Sequence, residues 1–405
     1  MKKCMICKES IAPFISFGQM PIANGFLNPD QFDDEYFYQL QVGFCSNCSM
    51  VQLIETVDPA KMFHKEYAFF SSTSTRMGVH FKHLADLVMK DYIKEPDAFV
   101  VEIGSNDGIT LQHFANAGLN HLGIEPSQNV AQVAMDKGIQ TVCEFFDERL
   151  AMEILAEKGQ VDVFLGTNVM CHIPDLHSVF AGIRRLLKPE GVLIFEDPYL
   201  GDIVKKISYD QIYDEHIFYF SVKSIAYLAD CHGLEVVDVK PQDVHGGSMR
   251  YFIAHKGALN VSSAVAGQLA EEEELGLHLH GTYERLRHKI QLSRDSLMDV
   301  LHDLRRQKKC VAGYGATSKS TTVTNYCGIT PDLVEYISDT TPIKQGKFSP
   351  GVHIPVCSYQ KFKKKYPDYA LLFAWNHAKE IMANENNFCR CGGKWLVYVP
   401  GVKVI

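Results

Sequence analysis

The sequence contains no unbroken apolar run of about 18 residues, the length that a membrane-spanning helix needs. Its start, MKKCMICKES, has two lysines but no apolar segment behind them, so no secretory signal is expected. Basic residues are in the minority, since 40 Lys and Arg face 48 Asp and Glu and the formal net charge is -8. This balance argues against nucleic acid or an anionic membrane as a partner. We therefore expect a soluble cytoplasmic protein, a monomer or weak homo-oligomer, that acts on small molecules.

The length of 405 residues exceeds what one hydrophobic core usually supports, so two or three domains are expected. Residues 1–60 are rich in Pro, Gly, Asn and Cys and predict a small, loop-rich module. Residues 61–258 begin with connecting helices and continue, from about 97, as short apolar runs separated by helix-length segments. Residues 308–405 show the same alternation of short apolar runs and helix-length segments, which is typical of a parallel α/β sheet. Residues 259–307 carry apolar side chains at helical spacing and predict a helical connector.

Twelve cysteines are present, and four of them form two CxxC pairs, Cys4 with Cys7 and Cys45 with Cys48. A long chain without a predicted secretory signal favours thiols and metal ligation over disulfides. Each pair offers two thiolates from one tight turn, and together they form the tetrahedral set that Zn²⁺ prefers. The 37 residues between the pairs exceed the spacing of a zinc ribbon, so four buried thiols or a redox pair are the alternatives. Zinc closed by four sulfurs would be structural and leave no position for a substrate.

The segment VVEIGSNDGITLQHF predicts a strand, a glycine-containing loop and a helix whose first amides face a ligand. Acidic Asp107 in this loop would repel a pyrophosphate but suits a cationic or amino-acid-bearing ligand. Glu125 ends the next strand, where an acidic side chain accepts hydrogen bonds from ribose hydroxyls. With the turn LLKPEG, these motifs resemble the S-adenosylmethionine-dependent methyltransferase fold, a Rossmann-like class I domain. The cofactor-binding candidates under this resemblance are Gly104, Asn106, Asp107, Gly108, Glu125, Pro126 and Asn168.

Along its whole length the sequence resembles the bacterial nucleotide-sugar C-methyltransferases, which methylate C-3 of a 4-keto-6-deoxy sugar. Matching segments include the paired CxxC module, EYAFFSSTS, VEIGSNDG, NVMCHIPD, IYDEHIFYFS, HGGSMR, GYGATSKS and FAWNHAKEI. The resemblance implies an α/β fold in which a zinc-binding module precedes a methyltransferase domain and a C-terminal Rossmann-like domain. It also implies S-adenosylmethionine as methyl donor, structural Zn²⁺, and a nucleotide-linked 4-keto-6-deoxysugar as substrate, with dTDP favoured over GDP as the nucleotide.

In that family a Tyr-x-Glu-His motif forms the catalytic centre, and here it falls on Tyr213, Glu215 and His216. His216 is the best base near neutral pH and would remove the proton beside the ketone. Tyr213 would donate to the oxyanion that develops at C-4. Glu215 would fix the tautomer of His216 or bind sugar hydroxyls. Asp214 replaces a second histidine that is common in the family, and could alter local pKa values or the hydrogen bonds of the loop.

Two further residues correspond to active-site positions of the family. Tyr67, in EYAFFSSTS, would close over the cofactor, and His172, in NVMCHIPD, would face the cleft. From the residues alone, the favoured interpretation is that Tyr67 is a packing aromatic and that His172 is a satisfied helix-cap histidine. The Tyr-x-Glu-His cluster could likewise be a structural group of hydrogen bonds that ties a loop to the sheet.

The segment KCVAGYGATSKSTTV again predicts a strand, a glycine loop and a helix. Helix-start amides together with a hydroxyl and a lysine suit a diphosphate. The full GxGxxG pattern is absent, so a degenerate Rossmann unit without a ligand is the alternative. The segment HGGSMR would lie beside the sugar, or its glycines would only shape a turn. The substrate-binding candidates are Ser248, Tyr314, Ser318, Lys319 and Asn376.

Three other functions remain open at this point. An O- or N-methyltransferase for another small metabolite would share the cofactor motifs, but it would not need the deprotonating cluster. A zinc-containing binding module could retain an inactive methyltransferase fold. A nucleic-acid methyltransferase could also combine zinc with this fold, although the acidic balance opposes it.

Overall fold

The computed structural model of the chain describes residues 2–62, 70–73 and 75–405. Its N-terminal module begins with a hairpin of β1 (Lys2–Lys3) and β2 (Ser10–Ile11) around the first CxxC pair. An antiparallel sheet follows, because Tyr38, Leu40 and Val42 alternate with more polar residues and so share one buried face. The strands of this sheet are β3 (Pro13–Pro21), β4 (Phe37–Phe44) and β5 (Val51–Leu53), and the short helix α1 (Pro59–Met62) comes after them.

The central domain is a seven-stranded sheet whose strands are mostly parallel. Strand β6 has the sequence FVVEI and is buried on both faces, as expected for a parallel strand between helices. In chain order the strands are β6 (Phe99–Ile103), β7 (Asn120–Ile124), β8 (Thr141–Val142), β9 (Val161–Thr167), β10 (Leu187–Pro198), β11 (Phe218–Tyr219), β12 (Leu234–Gln242) and β13 (Ser248–His255), of which β11 joins the N-terminal sheet beside β5.

The order of the central sheet is β12-β13-β10-β9-β6-β7-β8, with β12 and β13 antiparallel to their neighbours. The chain runs outward from β6 in one direction through β7 and in the other through β9. This reversal opens a crevice at the carboxyl ends of β6 and β9, where open α/β sheets bind ligands. The helices of the domain are α2 (Thr75–Asp91), α3 (Leu111–Asn116), α4 (Gln128–Asp136), α5 (Glu148–Lys158), α6 (Leu176–Leu186), α7 (Leu200–Lys206) and α8 (Val222–Cys231).

Two helices, α9 (Ser263–Leu275) and α10 (His280–Arg306), connect the central domain to the C-terminal one. The C-terminal sheet has the order β16-β15-β14-β17-β18-β19, and all neighbours are parallel except the last pair. Its elements are β14 (Val311–Tyr314), α11 (Ser318–Cys327), β15 (Ile337–Asp339), β16 (Val356–Ser358), α12 (Tyr359–Lys364), β17 (Tyr369–Leu372), α13 (Ala378–Asn384), α14 (Asn386–Arg390), β18 (Lys394–Val397) and β19 (Lys403–Val404).

The N-terminal module shares apolar cores with both larger domains. Its buried cysteines belong to one core with Phe99 and Val101 of the central sheet. Its strands belong to another core with the long helix α10, where Phe44 stacks on Tyr283 at 4.4 Å between ring centroids. We propose domain boundaries after residues 60, 258 and 307, because the chain leaves one sheet for the next near each of them. Within the described part of the chain, no helix has both the length and the apolar character needed to cross a membrane.

Candidate active site

The four cysteines of the two CxxC pairs converge. Their sulfur atoms all lie within 4.8 Å of one another, with Cys4 and Cys48 3.6 Å apart and Cys7 and Cys45 3.3 Å apart. Tetrahedral zinc with Zn–S bonds of about 2.3 Å would hold its sulfurs about 3.8 Å apart, so this donor set fits Zn²⁺. All four ligand positions are then filled by sulfur, which makes the predicted site structural.

The zinc site is also tied to the rest of the molecule. Gln52 accepts a hydrogen bond from the amide of Met5, inside the first CxxC turn. On the other side, Nε2 of His177 in α6 donates to the carbonyl of Ile6 at 2.8 Å. The metal-binding turn therefore rests directly on the central domain.

A cavity of about 900 Å³ lies where the three units meet. Loops after β6, β7 and β9 of the central domain form one end of it, at the predicted crevice. The turn before α11 and residues 339–344 of the C-terminal domain form the other end. Asn24 reaches the cavity from the N-terminal module. This arrangement gives space for two ligands, one at each sheet edge.

The cofactor end is organised around Glu125. Its carboxylate accepts the amides of Asn106 at 3.1 Å and Ser127 at 2.8 Å, which fix the side chain at the end of β7. Each oxygen keeps a further lone pair for a ribose hydroxyl. Gly104 has a φ of +60°, and a Cβ atom there would lie 2.6 Å from Val169, so glycine is required. Glu125, Pro126, Gly104, Asn106 and Asn168 all line the cavity and fit an adenosyl group with an amino-acid tail.

Two further cofactor candidates, Asp107 and Gly108, lie in the same loop but outside the lining of the cavity. Asp107 is fully buried, accepts the amide of Ser72, and pairs with Lys137 at 3.4 Å. Gly108 has a φ of +77°, and a Cβ atom there would lie 2.9 Å from the side chain of Ile139, so glycine is favoured at this position. Neither residue is among those that line the cavity. The ion pair with Lys137 holds the loop in place, and the contact of Asp107 with the cofactor stays a prediction.

The residues of the Tyr-x-Glu-His motif form a largely buried cluster in the wall of the cavity. Nδ1 of His216 lies 2.7 Å from the carbonyl oxygen of Gln211, and Nε2 lies 2.8 Å from the hydroxyl of Tyr213. Because a carbonyl can only accept a hydrogen bond, Nδ1 carries the proton. Nε2 is then unprotonated and accepts a hydrogen bond from the hydroxyl of Tyr213. Burial, with a smaller effect of His172, lowers the pKa of His216 well below its ordinary value.

The two acidic residues of the motif have different surroundings. Asp214 is fully buried, and its Oδ1 accepts the amide of Ala23 in the N-terminal module at 2.9 Å. Glu215 lines the cavity instead. Burial raises the pKa of both carboxyl groups. The tautomer of His216 is fixed by the Gln211 carbonyl, which leaves Glu215 available for a ligand.

His172 and Tyr67 were the remaining catalytic candidates. The ring of His172 stacks on that of His216 at 5.3 Å between centroids and lines the cavity. Burial lowers the pKa of His172 to about 4. Tyr67 lies outside the described residues.

The substrate end lies at the start of α11. Thr317 caps this helix by accepting the amide of Ser320, and Ser318 and Lys319 face the cavity with Asn376. Lys319 is 9% exposed and lies 5.0 Å from the centre of the Trp375 ring. Burial lowers the pKa of Lys319, and the nearby carboxylate of Asp210 opposes that shift. A buried cation beside helix-start amides is suited to a phosphate group.

Two substrate candidates lie elsewhere. Ser248 is buried in β13 and donates to the carbonyl of Val244. Successive residues of a strand point to opposite faces of the sheet. The side chain of Tyr314, the last residue of β14, lies on the face away from the cavity. There it packs edge-on against Trp395 and donates to Glu385 at 2.9 Å. Both residues satisfy local hydrogen bonds and are absent from the lining of the cavity.

Several lining residues were not predicted, and three of them are Asn24, Asp339 and Lys344. Lys344 donates to the carbonyl of Ala316 at 2.9 Å and lies over the ring of Phe26. Asp339 accepts a hydrogen bond from the amide of Ala316. It is an acidic residue at the end of the second strand of a Rossmann-like unit, and this position is a sequence pattern from which it could have been predicted. Asn24 and Lys344 had no comparable signal, because an Asn-Gly turn and a loop lysine are usually solvated.

Comparison with known proteins agrees with this arrangement. Family models match residues 4–63 (zinc binding domain), 80–239 (methyltransferase domain) and 243–400 (C-methyltransferase C-terminal domain). The C-methyltransferase NovU of Streptomyces niveus is 36% identical over 406 residues, which cover 100% of this chain and 96% of NovU. A ubiquinone biosynthesis O-methyltransferase of Escherichia coli O81 is 28% identical over 33% of the chain and 60% of its own length.

Among solved structures, magnesium protoporphyrin IX methyltransferase from Synechocystis PCC 6803, with bound SAH, has a TM-score of 0.35 and 14% identity. It covers 44% of this chain and 83% of its own. The fold, the cavity and the full-length relative define an S-adenosylmethionine-dependent methyltransferase. More narrowly, the chain belongs to the C-methyltransferase family and carries a zinc-binding module at its N-terminus. The predicted fold class, enzyme class, methyl donor and zinc are confirmed.

Proposed function

We propose that the enzyme methylates C-3 of a nucleotide-linked 4-keto-6-deoxyhexose, with dTDP as the favoured nucleotide and His216 as the base. One observation carries the proposal: His216 lines the cavity between the cofactor loops and the phosphate-suited start of α11, and its Nδ1 faces the Gln211 carbonyl, which leaves Nε2 as the basic nitrogen. O-methylation of an acidic hydroxyl would not require this arrangement.

The chemistry begins at a carbon beside a ketone, which becomes nucleophilic only after it loses a proton. Nε2 of His216 accepts the C-3 proton, and the bond from Nδ1–H to the Gln211 carbonyl supports the imidazolium that forms. Tyr213, which donates to Nε2 before substrate binds, donates instead to the oxyanion at C-4. Bound S-adenosylmethionine supplies an electrophilic methyl group. Alignment of the two ligands in one closed cavity accelerates the transfer further.

The remaining groups bind and orient the sugar nucleotide. Lys319, Ser318 and the first amides of α11 hold the diphosphate, and Lys344 adds a second positive charge beside Glu215. Glu215 accepts hydrogen bonds from the sugar, while Asn376 contacts the nucleotide. His172 supports the base through ring stacking. Tyr67 is retained as a candidate for covering the cofactor.

The test is mass spectrometry of the zinc-loaded enzyme with S-adenosylmethionine and a panel of dTDP-, GDP- and CDP-linked 4-keto-6-deoxyhexoses. We expect one methyl group to be added to the sugar, most rapidly with dTDP, and NMR to place it on C-3. A methyl group on oxygen would contradict the proposal, and so would the absence of transfer to every member of the panel.

A further inference from the structure

The N-terminal module contributes one polar side chain to the cavity, that of Asn24. Its Oδ1 atom is shielded from solvent and has no hydrogen-bond partner among the described residues. Buried amide oxygens are nearly always paired, because an unpaired one costs stability. An unpaired acceptor on a residue that lines a ligand cavity is therefore suited to a donor on the ligand.

The position of Asn24 is fixed from both larger domains through the preceding residue. The amide of Ala23 donates to Asp214 at 2.9 Å, and its carbonyl accepts the hydroxyl of Thr321 at 2.7 Å. Asp214 belongs to the catalytic loop of the central domain, whereas Thr321 belongs to α11. The backbone of Ala23, directly before Asn24, is thus held between the loop that carries Asp214 and helix α11.

These contacts place Asn24 at the substrate end. The clamp on Ala23 adjoins Glu215 and His216 in sequence, and Phe26 lies 4.7 Å below the ammonium group of Lys344. Near the diphosphate and the base, the donor that a 4-keto-6-deoxyhexose offers to an amide oxygen is a ring hydroxyl.

We propose that Asn24 is a substrate-binding residue, whose Oδ1 accepts a hydrogen bond from a ring hydroxyl at C-2 or C-3 of the sugar. The inference rests on the proposed function and extends it to the N-terminal module. Zinc is then structural, but the module that it stabilises supplies part of the active site.

The test compares Asn24→Ala with Asn28→Ala in the full-length, zinc-loaded enzyme. Asn28 lies in the same loop but is exposed, so it controls for changes to the loop itself. For dTDP-4-keto-6-deoxyglucose we expect Asn24→Ala to raise KM about tenfold, the effect of one lost hydrogen bond to a neutral group. The affinity for S-adenosylmethionine, the zinc content and the Tm should match those of Asn28→Ala.

Substrate analogues that lack the C-2 or the C-3 hydroxyl identify the partner of Asn24. Removal of that hydroxyl should weaken binding to the wild type but not weaken binding to Asn24→Ala any further, as in a double-mutant cycle. Equal losses in both proteins for both analogues would overturn the inference, and so would an Asn24→Ala variant that behaves like Asn28→Ala.

Calorimetric Kd values for the same sugar nucleotides separate this inference from the proposed function. A wild type that binds them without methylating them refutes the proposed reaction, while the Asn24→Ala comparison still decides the contact. A wild type that binds none of them refutes both.

Discussion

His216, the proposed base, is oriented by two neighbours in the wall of the cavity. The Gln211 carbonyl directs the proton of His216 to Nδ1, and the Tyr213 hydroxyl marks Nε2 as the basic nitrogen. Burial lowers the pKa of His216 and so favours the neutral form of this proposed base in the free enzyme. A base that is already neutral is available to a substrate without prior loss of a proton.

This lowered pKa predicts the acid side of the pH profile. His216 stays neutral until the solution is more acidic than its ordinary pKa of 6.5, because a lowered pKa shifts protonation to lower pH. We expect kcat/KM to be constant from neutrality down to 6.5 and to fall only below it. His172, His245 and Lys319 are nearby, and all of them oppose a charge on His216.

The control for this profile is Glu215→Gln, because burial raises the pKa of Glu215 and its ionisation falls closer to neutrality. In this variant the fall of kcat/KM at acidic pH should stay at the same pH, and any change of kcat/KM above neutral pH should disappear. An acid limb centred above 6.5 in both proteins would contradict the assignment of the base.

At the scale of single elements, the start of α11 carries the phosphate-binding prediction. Lys319→Met keeps most of the side-chain volume but removes a cation that is largely enclosed by Trp375 and Asp210. We expect the affinity for dTDP, measured by calorimetry, to fall about tenfold or more, because charged hydrogen bonds are the stronger ones. Binding of S-adenosylmethionine should be unchanged.

Lys364→Met supplies the matched control, since Lys364 is exposed at the end of α12. It should bind dTDP like the wild type. If Lys319→Met also binds dTDP normally, the diphosphate is held elsewhere.

The zinc module gives a second prediction at this scale. Removal of the metal leaves four thiols close together in a module with a small core, so we expect residues 2–62 to lose their fold on chelation. Activity should then be lost even though the metal is not part of the chemistry, because Asn24 leaves the cavity and the amide of Ala23 no longer donates to Asp214. Zinc release, the Tm and turnover should change together.

Binding of S-adenosylmethionine provides the internal control, because its cavity residues belong to the central domain. It should persist after chelation. Full turnover by a zinc-free protein would show that the module is dispensable for the reaction.

On the scale of the whole molecule, the active site exists only where three units meet. Asp210 of the central domain accepts hydrogen bonds from Trp375 and Tyr398 of the C-terminal domain. Asp214 accepts one from Ala23 of the N-terminal module. These contacts hold the loop that carries His216, the proposed base, at a fixed position relative to both ligand ends.

Local patterns predicted the parts of this site that one strand and its loop create. Cys4 and Cys7, Gly104 and Glu125 each follow from a short motif whose geometry does not depend on distant residues. Asn24 and Lys344 could not be found this way, because only the packing between domains brings them to the cavity. For Tyr314, the motif correctly predicted the strand and loop in which the residue lies. It did not predict the face of the sheet on which the ring packs against Trp395.

The most direct test of the account follows hydrogen exchange at C-3. The wild type, His216→Ala and the exposed control His288→Ala are incubated with dTDP-4-keto-6-deoxyglucose in D₂O, and NMR separates exchange at C-3 from exchange at C-5, which also adjoins the ketone. We predict deuterium at C-3 with the wild type and with His288→Ala, and a rate at least about a hundredfold lower with His216→Ala, whose affinity for S-adenosylmethionine is retained. Exchange by His216→Ala at the wild-type rate would contradict the assignment of His216 as the base.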